Sequence, residues 1–307
     1  MKKSLVAVVA LAMSLSACGQ SNNTSTPTLA GANSTYPLTI SNSGREVVIP
    51  VEPKQIISLS PTATENLFAI EAGSQVLAVD DQSNFPANAP TSELSGFTPS
   101  LEAIVALAPD LVVVSNDIDN IVSGLSDVGI PVIVQPAAVT IDDTYLQIAE
   151  LGAVTNHARQ ASELIATMRS TIDSALATLS TKTSALTYYH ELDNTMYSVT
   201  SATFIGSIYA SAGLTNIADA APDASSGYPQ LSAEFIVAAD PDLIFLGDIK
   251  CCGQTAADLG KRPGFAQLTA ISQGTVFEID DDIASRWGPR TADLVTAIVS
   301  AVTKAAS

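Results

Sequence analysis

Positive charge is scarce: 13 Lys and Arg stand against 31 Asp and Glu, a net charge of -18 over 307 residues. A nucleic-acid backbone would be repelled rather than neutralised by such a chain, which excludes nucleic acid as a partner. Histidine is scarcer still. The two residues, His157 and His190, fall in different elements, so a zinc site built on several histidines cannot be assembled. Aromatics make up 5%, with a single Trp, so each aromatic near a loop counts. The chain lacks the G-x-S-x-G, H-E-x-x-H, Walker and dinucleotide G-x-G-x-x-G patterns. Asp281 and Asp282, the nearest candidates for a surface hydrolase, are adjacent residues whose side chains diverge, a poor acid–base pair. No apolar run reaches the roughly 20 residues that a membrane-spanning helix needs.

Against these absences, 47% hydrophobic residues give enough material for a sizeable core and a length suited to two domains. Lys2 and Lys3 followed by the short apolar stretch Leu5 to Ala17 predict an export signal over residues 1–17. The stretch ends in Leu15-Ser16-Ala17-Cys18, which resembles a bacterial lipobox, so Cys18 is the expected lipidation site and the chain is expected to be extracytoplasmic and lipid-anchored to the cell membrane. Residues 18–36, rich in Ser, Thr, Asn, Ala and Gly, are read as a flexible tether. With Cys18 taken by lipid, Cys251 and Cys252 remain side by side, and the sequence leaves open whether they are bonded.

Beyond about Pro37, short β-branched runs alternate with helical patterns: Gln55 to Leu59 then a helix from Thr64 to Ala72, Val76 to Val79, Leu101 to Leu107, Leu111 to Val114. Such alternation argues for parallel sheets with both faces covered. The chain also repeats itself. Ser100-Leu101-Glu102-Ala103-Ile104-Val105-Ala106-Leu107-Ala108-Pro109-Asp110-Leu111 recurs as Ser232-Ala233-Glu234-Phe235-Ile236-Val237-Ala238-Ala239-Asp240-Pro241-Asp242-Leu243. Each copy reads as a Ser-capped helix with Glu in its first turn, then a Pro-Asp turn and a buried strand. Between the copies, residues 156–182 carry no Gly or Pro and place Ala161, Leu164, Ile165, Met168, Ile172, Ala175, Leu176 and Leu179 at helical spacing. The predicted architecture is α/β: two Rossmann-like lobes with parallel sheets, residues 37–155 and 183–307, joined by one long rigid α-helix over 156–182, with a ligand cleft between the lobes.

Ligands of open α/β sheets bind beyond the strand C-termini. That rule selects the segments Asp81 to Phe85, Gly96-Phe97, Ser115-Asn116-Asp117, Glu191 to Asn194 and Gly247-Asp248. His190 ends the predicted strand Leu186 to Tyr189 and is a candidate contact; a strand-end histidine that only hydrogen-bonds is the plainer alternative. Asp280-Asp281-Asp282 and Arg286-Trp287-Gly288-Pro289-Arg290 gather the only Trp and two of the few arginines before the last helix. Arg supplies a fork of donors and Trp a stacking face, or the arginines pair with the aspartates and Trp287 packs.

Taken together, Ile56-Ile57-Ser58-Leu59-Ser60-Pro61-Thr62-Ala63-Thr64-Glu65, Ser83-Asn84-Phe85-Pro86, the two Ser-x-Glu-x-Ile-Val copies, Tyr228-Pro229-Gln230-Leu231-Ser232 and Pro289-Arg290 resemble the periplasmic binding proteins with a helical backbone, which serve ABC importers of ferric siderophores, haem and cobalamin. The resemblance covers roughly Gln55 to Val302. It implies a monomeric binding protein, not an enzyme, with no covalent cofactor and no metal held directly by the protein; the ligand it implies is a ferric siderophore or corrinoid, or alternatively haem. It implies an ABC permease dimer and its ATPase as partners, with Glu102 and Glu234 docking into arginine pockets of the permease. Carried over from the cobalamin receptor, the pocket positions fall on Gln82, Phe97, Tyr228, Asp282 and Arg286, of which Gln82 departs in chemistry. The candidate ligand-binding set is Phe97, Asn116, His190, Tyr228, Asp282, Arg286 and Trp287. A lipoprotein that senses or scaffolds without transport is the competing reading outside this class.

Overall fold

The computed structural model describes residues 34–179 and 186–306. The export signal, Cys18, most of the expected tether and the last residues of the expected joining helix lie outside the described residues.

The strands are β1 Leu38–Asn42, β2 Arg45–Ile49, β3 Ile56–Leu59, β4 Val76–Val79, β5 Leu111–Val114, β6 Val132–Val134, β7 Thr187–Glu191, β8 Thr215–Asn216, β9 Leu243–Leu246 and β10 Val276–Glu278. The helices are α1 Pro61–Ala69, α2 Leu101–Ala106, α3 Ile121–Asp127, α4 Ile141–Val154, α5 Ala158–Leu176, α6 Phe204–Ser211, α7 Ala233–Ala239, α8 Ile249–Cys252, α9 Ala256–Leu259, α10 Thr269–Gln273, α11 Asp281–Ser285 and α12 Thr291–Ala305.

Two four-stranded parallel sheets result, with orders β4-β3-β5-β6 and β10-β9-β7-β8. Strands β3, β5 and β9 are buried along their whole length, as continuous apolar runs covered on both faces must be. An antiparallel hairpin, β1–β2, precedes the first sheet. Its turn residues Ser43 and Gly44 both have positive φ, 49° and 74°, as two-residue hairpin turns require.

Local chemistry explains the helix starts. Ser60 accepts a hydrogen bond from the Ala63 amide, and Pro61 at the first helical position has a preset φ. Helix α1 therefore begins three residues before the expected Thr64 and ends at Ala69 rather than Ala72. Thr140 and Asp143 form a reciprocal capping box on α4.

The joining helix is shorter than expected. It spans Ala158–Leu176, 19 residues, or about 28 Å at 1.5 Å per residue. Asn156 just before it has φ +65°, outside helical geometry, and hydrogen-bonded turns at Thr178 and Leu179 follow its end. Its apolar stripe is shared between two cores. Ala161 and Met168 belong to the core of the first lobe with Ile148 and Leu151, whereas Ile172 belongs to the core of the second with Leu294, Val295 and Ile298 of α12. One rigid element is thus embedded in both lobes.

Candidate functional site

In a right-handed strand–helix–strand unit the helix runs antiparallel to its strands, so helix N-termini lie at the strand C-termini. That places the starts of α2 and α7 beside the cleft edge of each lobe. Ser100 caps α2 through the Ala103 amide, and Ser232 caps α7 through the Phe235 amide. Glu102 and Glu234 sit in the first turns and both are exposed. Each is compatible with the positive end of its own helix.

Between the lobes one buried carboxylate gathers two arginines. Glu65 on α1 has a side chain only 1% exposed and receives Arg286 Nη1 at 2.9 Å, Arg290 Nε at 2.8 Å and Arg290 Nη2 at 2.5 Å. Arg286 also donates to Asn84 Oδ1 at 2.9 Å, to the Gln82 carbonyl at 3.2 Å and to Asp282 at 2.7 Å, while Asn84 donates to Asp282 at 3.1 Å. Arg290 lies over the ring of Phe85, 4.4 Å from its centroid. The Trp287 indole N–H donates to Gln147 on α4 at 3.0 Å, and its ring packs on the core of the second lobe.

Expectation and structure part here. Arg286 and Trp287, read as ligand contacts, are committed to protein partners, and Arg286 finds its buried partner in Glu65 as well as in Asp282. His190 is corrected more fully. It is the fourth residue of a five-residue strand and its side chain is fully buried. Because strand side chains alternate, His190 shares a face with Tyr188 and enters the core, where Nδ1 meets Tyr209 Oη at 2.8 Å. Burial pushes its pKa down to about 4. A Cβ on Gly247 would stand 3.0 Å from Nε2, so only glycine leaves the ring this space. Phe97 at 73% exposure, Tyr228 at 50%, and the exposed Asn116 keep free surface on three separate loops.

Two residues of the selected strand-end segments, Glu191 and Asp248, are buried, Glu191 with partners the sequence did not indicate. Glu191, the last residue of β7, is buried and receives both Arg262 Nη atoms at 2.6 Å and Tyr189 Oη at 2.9 Å. Gln254 accepts from Arg262 at 2.8 Å. Asp248, buried beyond β9, is pushed up to about 7 by loss of water and by the charge of nearby Glu191. Cys251 and Cys252 are disulfide-bonded and exposed on α8, which hangs from Asp281 through the Lys250 and Cys251 amides. The Lys250 ammonium reaches Asp280 at 2.6 Å and Asp282 at 3.1 Å. A legible hint was the presence of an acid inside apolar segments, Glu65 in α1 and Glu191 after Tyr188-Tyr189-His190. Among the described residues no group of three or more His, Cys, Asp or Glu is arranged to hold a metal ion. The arrangement offers a surface beyond the strand C-termini of two lobes that are bridged by buried ion pairs.

A sequence model of the family described as periplasmic binding protein matches residues 56–283. An uncharacterized ABC transporter substrate-binding lipoprotein of Bacillus subtilis, YvrC, is 27% identical over 308 residues, covering 96% of this chain and 95% of its own. A cobalamin-binding protein of Halobacterium salinarum is 30% identical over 268 residues, covering 84% of this chain and 72% of its own. The solved periplasmic vitamin B12 binding protein BtuF of Vibrio cholerae superposes with a TM-score of 0.70 at 22% identity, over 84% of this chain and all of that one; at that identity the likeness shows the fold.

Proposed function

The chain belongs to the periplasmic binding protein family, and from that premise we propose that it captures a metal chelate, a ferric siderophore or a corrinoid, and delivers it to an ABC permease. It is lipid-anchored through Cys18, outside the cytoplasm, and performs no chemistry on its cargo. The chelate binds between the lobes, against the free surfaces of Phe97, Asn116 and Tyr228, with Asp282 and Arg286 at the rim.

The observation that carries this reading is the pair of exposed glutamates, Glu102 and Glu234, each in the first turn of a Ser-capped helix at the cleft edge of its lobe. A two-fold permease presents two equivalent surfaces, and a binding protein with two similar lobes can answer both with one carboxylate each. Their own helices gain only some tenths of a kcal/mol from them. The embedded helix α5 limits the lobes to small rigid-body movements, which suits a preformed cleft.

The test is uptake of labelled chelate by cells carrying the protein with Glu102→Ala and Glu234→Ala together. Transport is expected to stop while the purified variant binds its chelate as tightly as before. Undiminished uptake would remove the import role and leave a lipoprotein that binds without transporting.

A further inference from the structure

From Gln55 to Ala158 the chain contains no Lys or Arg, against 13 Asp and Glu. That span holds every strand of the first lobe's parallel sheet and every loop beyond those strands. The first lobe therefore meets a ligand with carboxylates, amides, hydroxyls and apolar surface only. Asp81 and Asp117, on the loops after β4 and β5, are exposed. Among the described residues neither is in an ion pair.

The second lobe does not supply the missing charge. Between β7 and the last helix, the cations among its described residues are Lys250, Lys261, Arg262, Arg286 and Arg290, and each of these is already in an ion pair: Lys250 with Asp280 and Asp282, Lys261 with Asp258, Arg262 with Glu191, Arg286 with Glu65 and Asp282, and Arg290 with Glu65. Glu65 and Asp282 each hold two cations. A carboxylate, phosphate or catecholate in the cleft would have to take a guanidinium from a buried acid, which leaves that acid unpaired away from water. It would also meet a first lobe whose strands and strand-end loops carry acids and no cation.

We propose that this cleft selects an uncharged or positively charged chelate and rejects anionic ones. The inference rests on the chelate-binding reading above and names its substrate class. The rejection works by like-charge repulsion, which discriminates between ligands of similar size without adding affinity for any.

The test is calorimetric titration of the purified protein at low salt with cyanocobalamin and ferrichrome as neutral probes, ferrioxamine B as a cationic one, and ferric enterobactin and haemin as anionic ones. At least one neutral or cationic probe is expected to bind, with both anionic probes weaker by roughly a hundredfold or silent. The variant Asp81→Lys with Asp117→Lys is expected to regain roughly tenfold of the lost anion affinity, an effect that added salt reduces. Tight binding of ferric enterobactin or haemin by the unaltered protein overturns the charge rule and leaves the import reading standing. Silence from all five probes overturns the chelate reading and the charge rule with it.

Discussion

The two lobes are alike at the helix starts proposed to meet a permease and unlike in the strand-end loops proposed to meet a ligand. Helices α2 and α7 share a Ser cap, a first-turn glutamate and a Pro-Asp turn into a buried strand. The cleft loops share almost nothing. From Gln55 to the start of the joining helix the first lobe carries no cation, while the second holds Tyr189, Glu191 and Asp248 buried beside Arg262 and sends Arg286 and Arg290 across to Glu65. Under the proposed import role the first surface would answer a two-fold partner and so be held to symmetry, whereas the second would answer an asymmetric small molecule and be free of it.

The largest expected effect comes from breaking the bond between the unlike halves. Glu65→Ala leaves Arg286 and Arg290 facing each other, with side chains only 10% and 14% exposed. Removing one partner of such a buried pair costs about 3–5 kcal/mol, read as a drop in the urea midpoint at unchanged slope. Glu65→Gln, which keeps the volume but not the charge, should recover part of that loss. A loss below about 1 kcal/mol for the alanine variant would show that the lobes hold together without the clamp.

Smaller effects should follow from pH, through two buried groups of the second lobe among others. His190 has its pKa held down to about 4, so the unfolded chain binds more protons between about 4 and about 6.5, and stability is lost as pH falls through that window. Asp248 is held up to about 7, so the folded chain binds more protons between about 4 and about 7, and stability is lost as pH rises through it. The two slopes oppose each other where they overlap. In Asp248→Asn the opposing slope of Asp248 is removed, and the variant should gain on the parent protein as pH rises from about 5 to about 8. In His190→Gln the acid-side loss, about 2–3 kcal/mol, should vanish from denaturation curves taken across that range.

Reducing the Cys251–Cys252 bond is expected to do least. The bond closes no chain loop beyond adjacent residues, and both cysteines are exposed on a short helix. The melting temperature with and without reductant should differ by less than about 3 °C. A larger shift would mean that α8 braces the cleft.

What the sequence made legible were features written locally. Ser100, Ser232, the first-turn glutamates and the β-branched runs after each Pro-Asp turn specify helix, turn and strand within a dozen residues, and all stand where expected. The repeat itself disclosed the two lobes. The clamp was not legible, because Glu65 meets Arg286 and Arg290 across more than 200 residues of chain, and the nearby aspartates offered a nearer match. Arg286 does bind one of them, Asp282, but the acid that draws both arginines out of water belongs to the other lobe. Strand β7 runs on to Glu191, two residues past the expected Tyr189, so strand alternation puts His190 on the face of Tyr188, in the core. The pair Cys251 and Cys252, open on sequence grounds, is bonded.

The equivalence of the outer faces can be measured directly, as the dissociation constant between the chelate-loaded protein and an ABC permease for that chelate in lipid nanodiscs. Glu102→Ala and Glu234→Ala are each predicted to weaken binding by a similar factor, and the double variant by roughly the product of the two, with chelate affinity unchanged throughout. If one substitution removed all binding while the other did nothing, the two lobes would not share a docking role and the account would fail.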